Sequence, residues 1–154
     1  MQIIGHRGAR GEAPENTLGG FRYLHGLGIR AVEFDVRQLK DGQLVVIHDD
    51  DFVRTTGRAQ HVESCDLSEA QQFDHRHQWQ AWGSEEYTPS LPHVMACLTD
   101  FEHIEVEIKA VTDEAAAERR AVPPDCRTAG GFAAPAPADA SSPRQYQYGT
   151  RFLQ

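Results

Sequence analysis

Histidine and arginine side chains at the ends of apolar segments are the first residues of this chain whose types suggest chemistry. His6 and Arg7 lie between two glycines after the apolar pair Ile3-Ile4, and His48 follows a second apolar run. Histidine exchanges protons near neutral pH, and arginine presents a planar, permanently charged fork that suits phosphate. Each residue alone is equally well explained as a polar group at a solvent-facing strand end. Their repetition along the chain favours a functional site.

Closely spaced carboxylates recur on two segments that alternate between polar and apolar residues. Glu33 and Asp35 are two positions apart, so on a strand their side chains lie on the same face. Glu105, Glu107 and Lys109 repeat this arrangement later in the chain. Neighbouring carboxylates repel each other unless a cation lies between them, although an exposed edge strand would also tolerate the pair. The spacing indicates a cation-binding face, with an exposed polar face as the alternative.

Strands and helices must position these residues, and both are predicted from apolar periodicity. A first strand ends at Gly5-His6, and further strands are predicted at Ile29–Arg37, Leu44–Ile47 and Phe101–Ala110. Helices are predicted at Glu15–Leu27, Leu67–Phe73, Leu91–Leu98 and Thr112–Arg120. The buried face of the first helix is predicted to comprise Leu18, Phe21, Leu24 and Leu27. The histidines and carboxylates therefore lie on or directly after predicted strands.

Length, charge and cysteine content exclude several classes of function. The 154 residues correspond to about one domain, and the net charge of −8 argues against nucleic acid as a partner. A small anionic substrate is still compatible if a local cation receives it. No apolar run reaches the length of a membrane span, and no leader peptide is recognised. Cys65, Cys97 and Cys126 form no Cys-x-x-Cys pair, so we expect reduced thiols in a cytoplasmic protein.

The character of the sequence changes near Ala121, and we divide the chain into regions 1–120 and 121–154. Five of the eight prolines lie in the second region, which shows no helical or strand period. Such a composition cannot build a packed core, so a disordered or weakly docked tail is predicted. A frameshift or truncation of the reading frame near residue 120, or a deliberate fragment, would explain the change.

Seven short motifs, in order along the chain, resemble the glycerophosphodiester phosphodiesterase family. They are His6-Arg7-Gly8, Pro14-Glu15-Asn16-Thr17, Glu33-Phe34-Asp35, Asp41-Gly42, Val45–Asp49, Arg54-Thr55-Thr56 and Glu107-Ile108-Lys109. The resemblance implies an α/β fold of the TIM-type (β/α)8 barrel, with the active site at the carboxyl ends of the strands. Because such a barrel typically needs about 250 residues, only its N-terminal part, the first three βα units, is expected here.

The resemblance also implies roles for seven polar residues. They are the ligands of one divalent cation, Ca²⁺ or Mg²⁺ (Glu33, Asp35, Glu107), an acid–base pair (His6, His48) and ligands of the substrate phosphate (Arg7, Lys109). Glu105 departs from the family, in which a small polar residue such as asparagine is more usual. We therefore leave Glu105 out of the metal set.

The implied reaction is metal-dependent hydrolysis of a glycerophosphodiester to sn-glycerol 3-phosphate and an alcohol, as part of lipid and glycerol metabolism. Three alternatives stay open: an inactive remnant of the family, a half-barrel that binds metal and phosphate without cleavage, and a related phospholipase C-like or sphingomyelinase D-like phosphodiesterase. A partial barrel leaves a sheet edge unpaired. Self-association that completes the barrel is therefore a further expectation.

Overall fold

The computed structural model describes residues 2–109 and 145–149. Its strands are β1 (Gly5–His6), β2 (Ala31–Gln38), β3 (Leu44–Val46), β4 (His103–Ile108) and β5 (Gln145–Gly149). Its helices are α1 (Leu18–Gly26), α2 (Val53–Thr56), α3 (Leu67–Ala70) and α4 (Leu91–Cys97), with a 3₁₀ turn at Val62–Ser64. Among the described helices, none has the length and apolar character needed to cross a bilayer.

The strands form one sheet in the order β1-β2-β4-β5, and these four strands are parallel. On the β1 side of β2, β1 ends where His6 lies opposite Glu33. Further along the same edge, β3 pairs antiparallel with β2 from Val36 onward. Backbone hydrogen bonds continue along this edge, from the N–H of Gly8 to the Glu33 carbonyl at 3.4 Å and from the N–H of Ile47 to the Asp35 carbonyl at 3.0 Å.

The main core lies between the apolar face of the sheet and helices α1 and α4. Val32, Phe34 and Val36 of β2 are fully buried, and the alternate residues of β4 are at most 2% exposed. The helices contribute Phe21, Leu24, Leu91 and Val94. Burial of each large side chain contributes about 1.5–3 kcal/mol. Because side chains alternate along a strand, this packing directs the carboxylates of β2 and β4 to the other face.

A second apolar cluster supports the segment that follows β3. Its buried members are Leu39, Val45, Ile47, Phe52, Val62, Cys65, Ala70 and Phe73. The rings of Phe52 and Phe73 pack edge to face with centroids 4.9 Å apart. Because Phe52 lies between His48 and Arg54 in the sequence, this packing anchors the loop that carries both polar residues.

The predicted strands and helices of the first hundred residues are present, with shifted ends. Helix α1 begins at Leu18 because the Thr17 hydroxyl accepts the N–H of Gly20 and caps the helix. The predicted burial of Leu27 is wrong, since its side chain is 51% exposed beyond the end of α1. The predicted strand at Ile3-Ile4 is also wrong: both side chains are exposed, and only Gly5–His6 pairs with β2.

Strand β5 lies within the region predicted to lack regular structure. Gln145–Gly149 pairs in parallel with residues 103–107 of β4. The segment reads Gln-Tyr-Gln-Tyr-Gly, and its two tyrosines favour a strand. This short alternation of polar and aromatic residues indicates a strand, but the Pro- and Ala-rich composition of the surrounding region obscured it. The helix predicted at Thr112–Arg120 and the rest of the predicted tail lie outside the described residues.

Candidate active site

Three carboxylates, those of Glu33, Asp35 and Glu107, converge on the polar face of the sheet. One oxygen from each lies within 4.8 Å of the others. The parallel register places Asp35 directly beside Glu107, and Glu33 lies two residues earlier on the same face of β2. The structure therefore brings together the side chains that the resemblance implies as metal ligands. We call these three residues the carboxylate cluster.

Two cations flank Asp35, which is fully buried. The Lys109 ammonium lies 2.6 Å from Glu107 Oε1 and 3.1 Å from Asp35 Oδ1. On the other side, Arg7 Nε lies 3.3 Å from Asp35 Oδ2. A buried carboxylate requires such charge partners because desolvation is costly. The two residues predicted to bind phosphate thus each form an ion pair with the cluster in this structure.

Glu33 carries the clearest electrostatic signature of the site. Its Oε2 accepts the backbone N–H of Arg7 at 3.1 Å, which favours the charged form. Burial and the neighbouring charges of Asp35 and Glu107 outweigh that hydrogen bond and raise the pKa of Glu33 to about 7. The carboxylate cluster therefore holds more negative charge than its surroundings stabilise.

The carboxylate cluster fits a hard divalent cation. Asp35 Oδ1 is a buried oxygen to which no hydrogen bond is aligned, although Lys109 lies within ion-pair distance. The three carboxylates repel one another, and this repulsion contributes to the raised pKa of Glu33. A bound cation would reduce the repulsion. Oxygen ligands of this kind suit Ca²⁺ or Mg²⁺.

Strained backbone conformations shape the wall of the cluster. Arg7 and Asn16 adopt left-handed φ values of 53° and 55°, which cost about 1–3 kcal/mol each. The turn at Arg7 brings its N–H to Glu33, and Asn16 donates its side-chain amide to Asp35 Oδ2 at 3.1 Å. Gly8 follows with a φ of 81°, which glycine tolerates without strain. The strain is thus associated with two direct contacts to the carboxylates.

His6 lies at the edge of the cluster. Its Nε2 is 3.7 Å from Glu33 Oε2, and its side chain is 59% exposed. Partial burial and the adjacent Arg7 lower the pKa of His6 below its ordinary value. The ring is therefore accessible and mainly neutral at neutral pH, the form that accepts a proton.

His48 occupies a separate position. Its Nδ1 lies 2.7 Å from Asp49 Oδ1, and its backbone carbonyl accepts a hydrogen bond from Arg37 Nε at 2.8 Å. Within residues 2–109 and 145–149, His48 makes no hydrogen bond or ion pair with His6 or with the carboxylate cluster. The acid–base pairing of the two histidines stays a prediction.

A network of ion pairs connects the two positions. Arg54 binds Asp49 and Glu15, and Glu15 Oε1 also lies 3.2 Å from Arg7 Nη1. No role was predicted for Glu15, Asp49 or Arg54, although all three lie within the motifs of the resemblance. Their positions within those motifs were the only indication in the sequence that these three residues could belong to the site.

Glu105 lies outside the carboxylate cluster. It is two residues from Glu107 on β4, and its Oε1 lies 2.8 Å from the Nε2 of His103. Its side chain is about one-third exposed. The contact with His103 therefore gives the Glu105 carboxylate a polar partner, and no metal is needed to explain its presence on this strand.

A family model matches most of the chain. The glycerophosphoryl diester phosphodiesterase family matches residues 6–127. The glycerophosphodiester phosphodiesterase of Caldanaerobacter subterraneus subsp. tengcongensis is 35% identical over 109 residues, which is 70% of this chain and 45% of the relative. The region matched by the family model contains the carboxylate cluster and both histidines.

Solved structures agree with this assignment. A glycerophosphodiester phosphodiesterase from Agrobacterium tumefaciens superposes with a TM-score of 0.67 at 30% identity, covering 77% of this chain and 51% of that one. A phosphodiesterase from Oleispira antarctica, in complex with the product sn-glycerol-3-phosphate, superposes with a TM-score of 0.64 at 33% identity, covering 70% and 44%.

The chain thus spans about half the length of the relatives it matches. Its described sheet and helices form part of a (β/α)8 barrel, which confirms the predicted fold class. Because the family model covers nearly all the described residues as well as the site, the chain belongs to the glycerophosphoryl diester phosphodiesterase family.

Proposed function

We propose that this chain hydrolyses glycerophosphodiesters to sn-glycerol 3-phosphate and an alcohol in a metal-dependent reaction. The observation that carries the proposal is the convergence of Glu33, Asp35 and Glu107 beside two cations, in a chain of this family. The bound sn-glycerol-3-phosphate of the Oleispira antarctica relative supports the proposed product. The substrate is a small molecule, consistent with a site built on β1, β2 and β4 and the residues that follow them.

The carboxylate cluster would hold one Ca²⁺ or Mg²⁺. The cation would neutralise negative charge and bind a phosphoryl oxygen and the glycerol hydroxyls. Among residues 2–109, Arg7 and Lys109 form ion pairs with the cluster. Each is about 10% exposed and bound to carboxylates. We propose that both also stabilise the phosphoryl charge of the transition state.

The two histidines divide the proton transfers. His6 has an accessible, mainly neutral ring, so it accepts the proton of the nucleophile. His48 has an aspartate partner at Nδ1, which orients the ring and leaves Nε2 to exchange a proton. We assign to His48 the donation of a proton to the leaving alkoxide.

A catalytically inactive member of the family is the second candidate. It would be consistent with the position of His48, which within the described residues makes no hydrogen bond or ion pair with the carboxylate cluster.

We also propose that self-association completes the barrel. Within the described residues, β1 pairs on one side only, and the neighbouring Ile3 and Ile4 are 60% and 40% exposed. A cytoplasmic location is a further proposal, based on the free cysteines Cys65 and Cys97.

The test is turnover of glycerophosphocholine by the purified chain with Mg²⁺ or Ca²⁺. Controls are EDTA, His6→Ala, and His61→Ala as a matched substitution of an exposed histidine outside the site. Turnover that requires metal and His6, but not His61, supports the hydrolase. Absence of turnover above the level of His6→Ala supports the inactive member. Sedimentation of the active sample then distinguishes a monomer from a self-associated form.

A further inference from the structure

We propose that Arg54 is a positioning residue, which holds His48 in one tautomer and fixes it relative to the carboxylate cluster. The catalytic role of Arg54 rests on the function proposed above, whereas its contacts with Asp49 and Glu15 are independent of that function. The proposal starts from one guanidinium bound to two carboxylates from different loops.

All three nitrogens of the Arg54 guanidinium donate hydrogen bonds. Nε and Nη2 bind the two oxygens of Asp49 at 2.7 Å and 3.1 Å. Nη1 and Nη2 bind the two oxygens of Glu15 at 2.9 Å and 2.7 Å. Two paired contacts of this kind require the rigid fork of arginine, and a lysine ammonium cannot reproduce them. The orientation of both carboxylates is therefore fixed by one side chain.

The contact with Asp49 orients the carboxylate that accepts the Nδ1–H of His48. Partial burial raises the pKa of Asp49, but hydrogen bonds from Arg54 and His48 outweigh this effect and lower it to about 2. The Asp49 carboxylate is thus a pure acceptor, so His48 Nδ1, 2.7 Å away, carries the hydrogen. In the neutral ring, Nε2 then presents its lone pair, and in the protonated ring it presents a proton.

The contact with Glu15 connects this arrangement to the carboxylate cluster. Glu15 Oε1 lies 3.2 Å from Arg7 Nη1, and the Arg7 backbone N–H binds Glu33. Glu15 and Asp49 belong to different loops that meet at Arg54. Without Arg54, two carboxylates would face each other with less positive charge between them. The Asp49 carboxylate, and with it the ring of His48, would then lose its connection through Glu15 to Arg7 and the cluster.

Arg76 offers a matched control. It forms a similar paired contact with the two oxygens of Asp74, with Nε 3.1 Å from Oδ1 and Nη2 2.7 Å from Oδ2. The described structure shows no contact between Arg76 and His48. Arg76→Met therefore removes a comparable ion pair without disturbing the proposed function of Arg54.

The first experiment measures the His48 tautomer by NMR of the full chain with ¹⁵N-labelled histidine, without metal or substrate. His48→Gln assigns the signal, and the buried ring of His75 reports that the fold is intact. We expect the Nδ1–H tautomer in the unsubstituted protein and in Arg76→Met. Arg54→Met should contain a substantial Nε2–H population, and Arg54→Lys should be intermediate. If Arg54→Met does not fold, Arg54→Lys is compared with Arg76→Met instead.

An unchanged tautomer in the folded Arg54 variant would overturn the proposal, as would an equal change in Arg76→Met. The second experiment measures turnover. We expect kcat to fall about 10- to 100-fold in Arg54→Met, with a smaller change in KM and partial recovery in Arg54→Lys. A kcat equal to that of Arg76→Met would also refute the role. If the unsubstituted chain has no turnover, the hydrolase proposal fails, whereas the NMR comparison still decides the role of Arg54.

Discussion

Replacing Glu33 with glutamine should stabilise the metal-free protein at alkaline pH. In the folded protein, burial and the charges of Asp35 and Glu107 raise the pKa of Glu33 from 4.5 to about 7. Between these values the folded protein binds a proton that the unfolded chain has released. The free energy of unfolding therefore falls as pH rises through this window. Glutamine carries no charge, so the substitution removes this penalty.

The size of the effect follows from the shift. A difference of about 2.5 pKa units corresponds to about 3 kcal/mol once the pH exceeds 7. At pH 5 the penalty is about 1 kcal/mol, because only the unfolded chain is largely ionised. The stability difference between Glu33→Gln and the unsubstituted protein should thus increase by about 2 kcal/mol from pH 5 to pH 8.

Urea unfolding in EDTA at both pH values measures this difference. Glu63→Gln, at an exposed glutamate of the 3₁₀ turn, controls for the loss of a surface charge. Addition of Mg²⁺ or Ca²⁺ at 100 times its Kd should stabilise the unsubstituted protein by about 2.7 kcal/mol, and should stabilise Glu33→Gln less. A difference that does not change with pH would refute the assignment of excess negative charge to this cluster.

Three further outcomes are expected. Burial lowers the pKa of His75 to about 4, so stability should be lost as pH falls from 6.5 toward 4, and His75→Gln should weaken that dependence in urea unfolding. Lys109→Met leaves two cluster carboxylates without their ammonium partner, and should destabilise the protein in EDTA by about 3 kcal/mol, less so with Ca²⁺ or Mg²⁺. Gly5→Ala places a methyl group against Leu24 and a backbone carbonyl, and should lower the melting temperature through about 1–3 kcal/mol of overpacking.

Each of these outcomes has a result that contradicts it. An identical acid transition in His75→Gln would show that another group controls stability below pH 6.5. Equal destabilisation of Lys109→Met with and without cation would separate the lysine from the metal site. An unchanged melting temperature for Gly5→Ala would mean that both the buried Leu24 side chain and the Gly8 carbonyl move aside without cost.

Local sequence patterns predicted most of the sheet and the face on which the carboxylates lie. In β2 and β4 every second residue is apolar and buried, so the intervening residues must lie on the other face. This alternation placed Glu33 and Asp35 together on one face, and Glu105, Glu107 and Lys109 together on another strand. It could not indicate which strands are neighbours. It also could not separate Glu105 from the carboxylate cluster, because the register places Glu105 beside Glu33 and only its contact with His103 distinguishes it.

Predictions failed where a residue's environment depends on distant segments. Ile3 and Ile4 have strand-forming side chains, yet within residues 3–6 only Gly5–His6 pairs with a neighbouring strand. Leu27 continues the apolar spacing of α1 but lies beyond the last turn that packs on the sheet. Gln145–Gly149 forms a strand because β4 offers an edge to it. Pairing and burial are decided by neighbours that local periodicity does not describe.

By itself, the sequence determined the family, through seven ordered motifs, and the types and faces of the polar residues. Only the tertiary structure decided the partners of those residues. Lys109 binds Asp35 and Glu107 because the β2–β4 register brings these two carboxylates together. Arg7 reaches Asp35 because β1 ends beside Glu33 of β2. Arg54 binds Glu15 across 39 residues of chain because two loops converge above the sheet edge. The physical reason is that ion pairs depend on distances of a few ångströms, which the packing of whole elements sets.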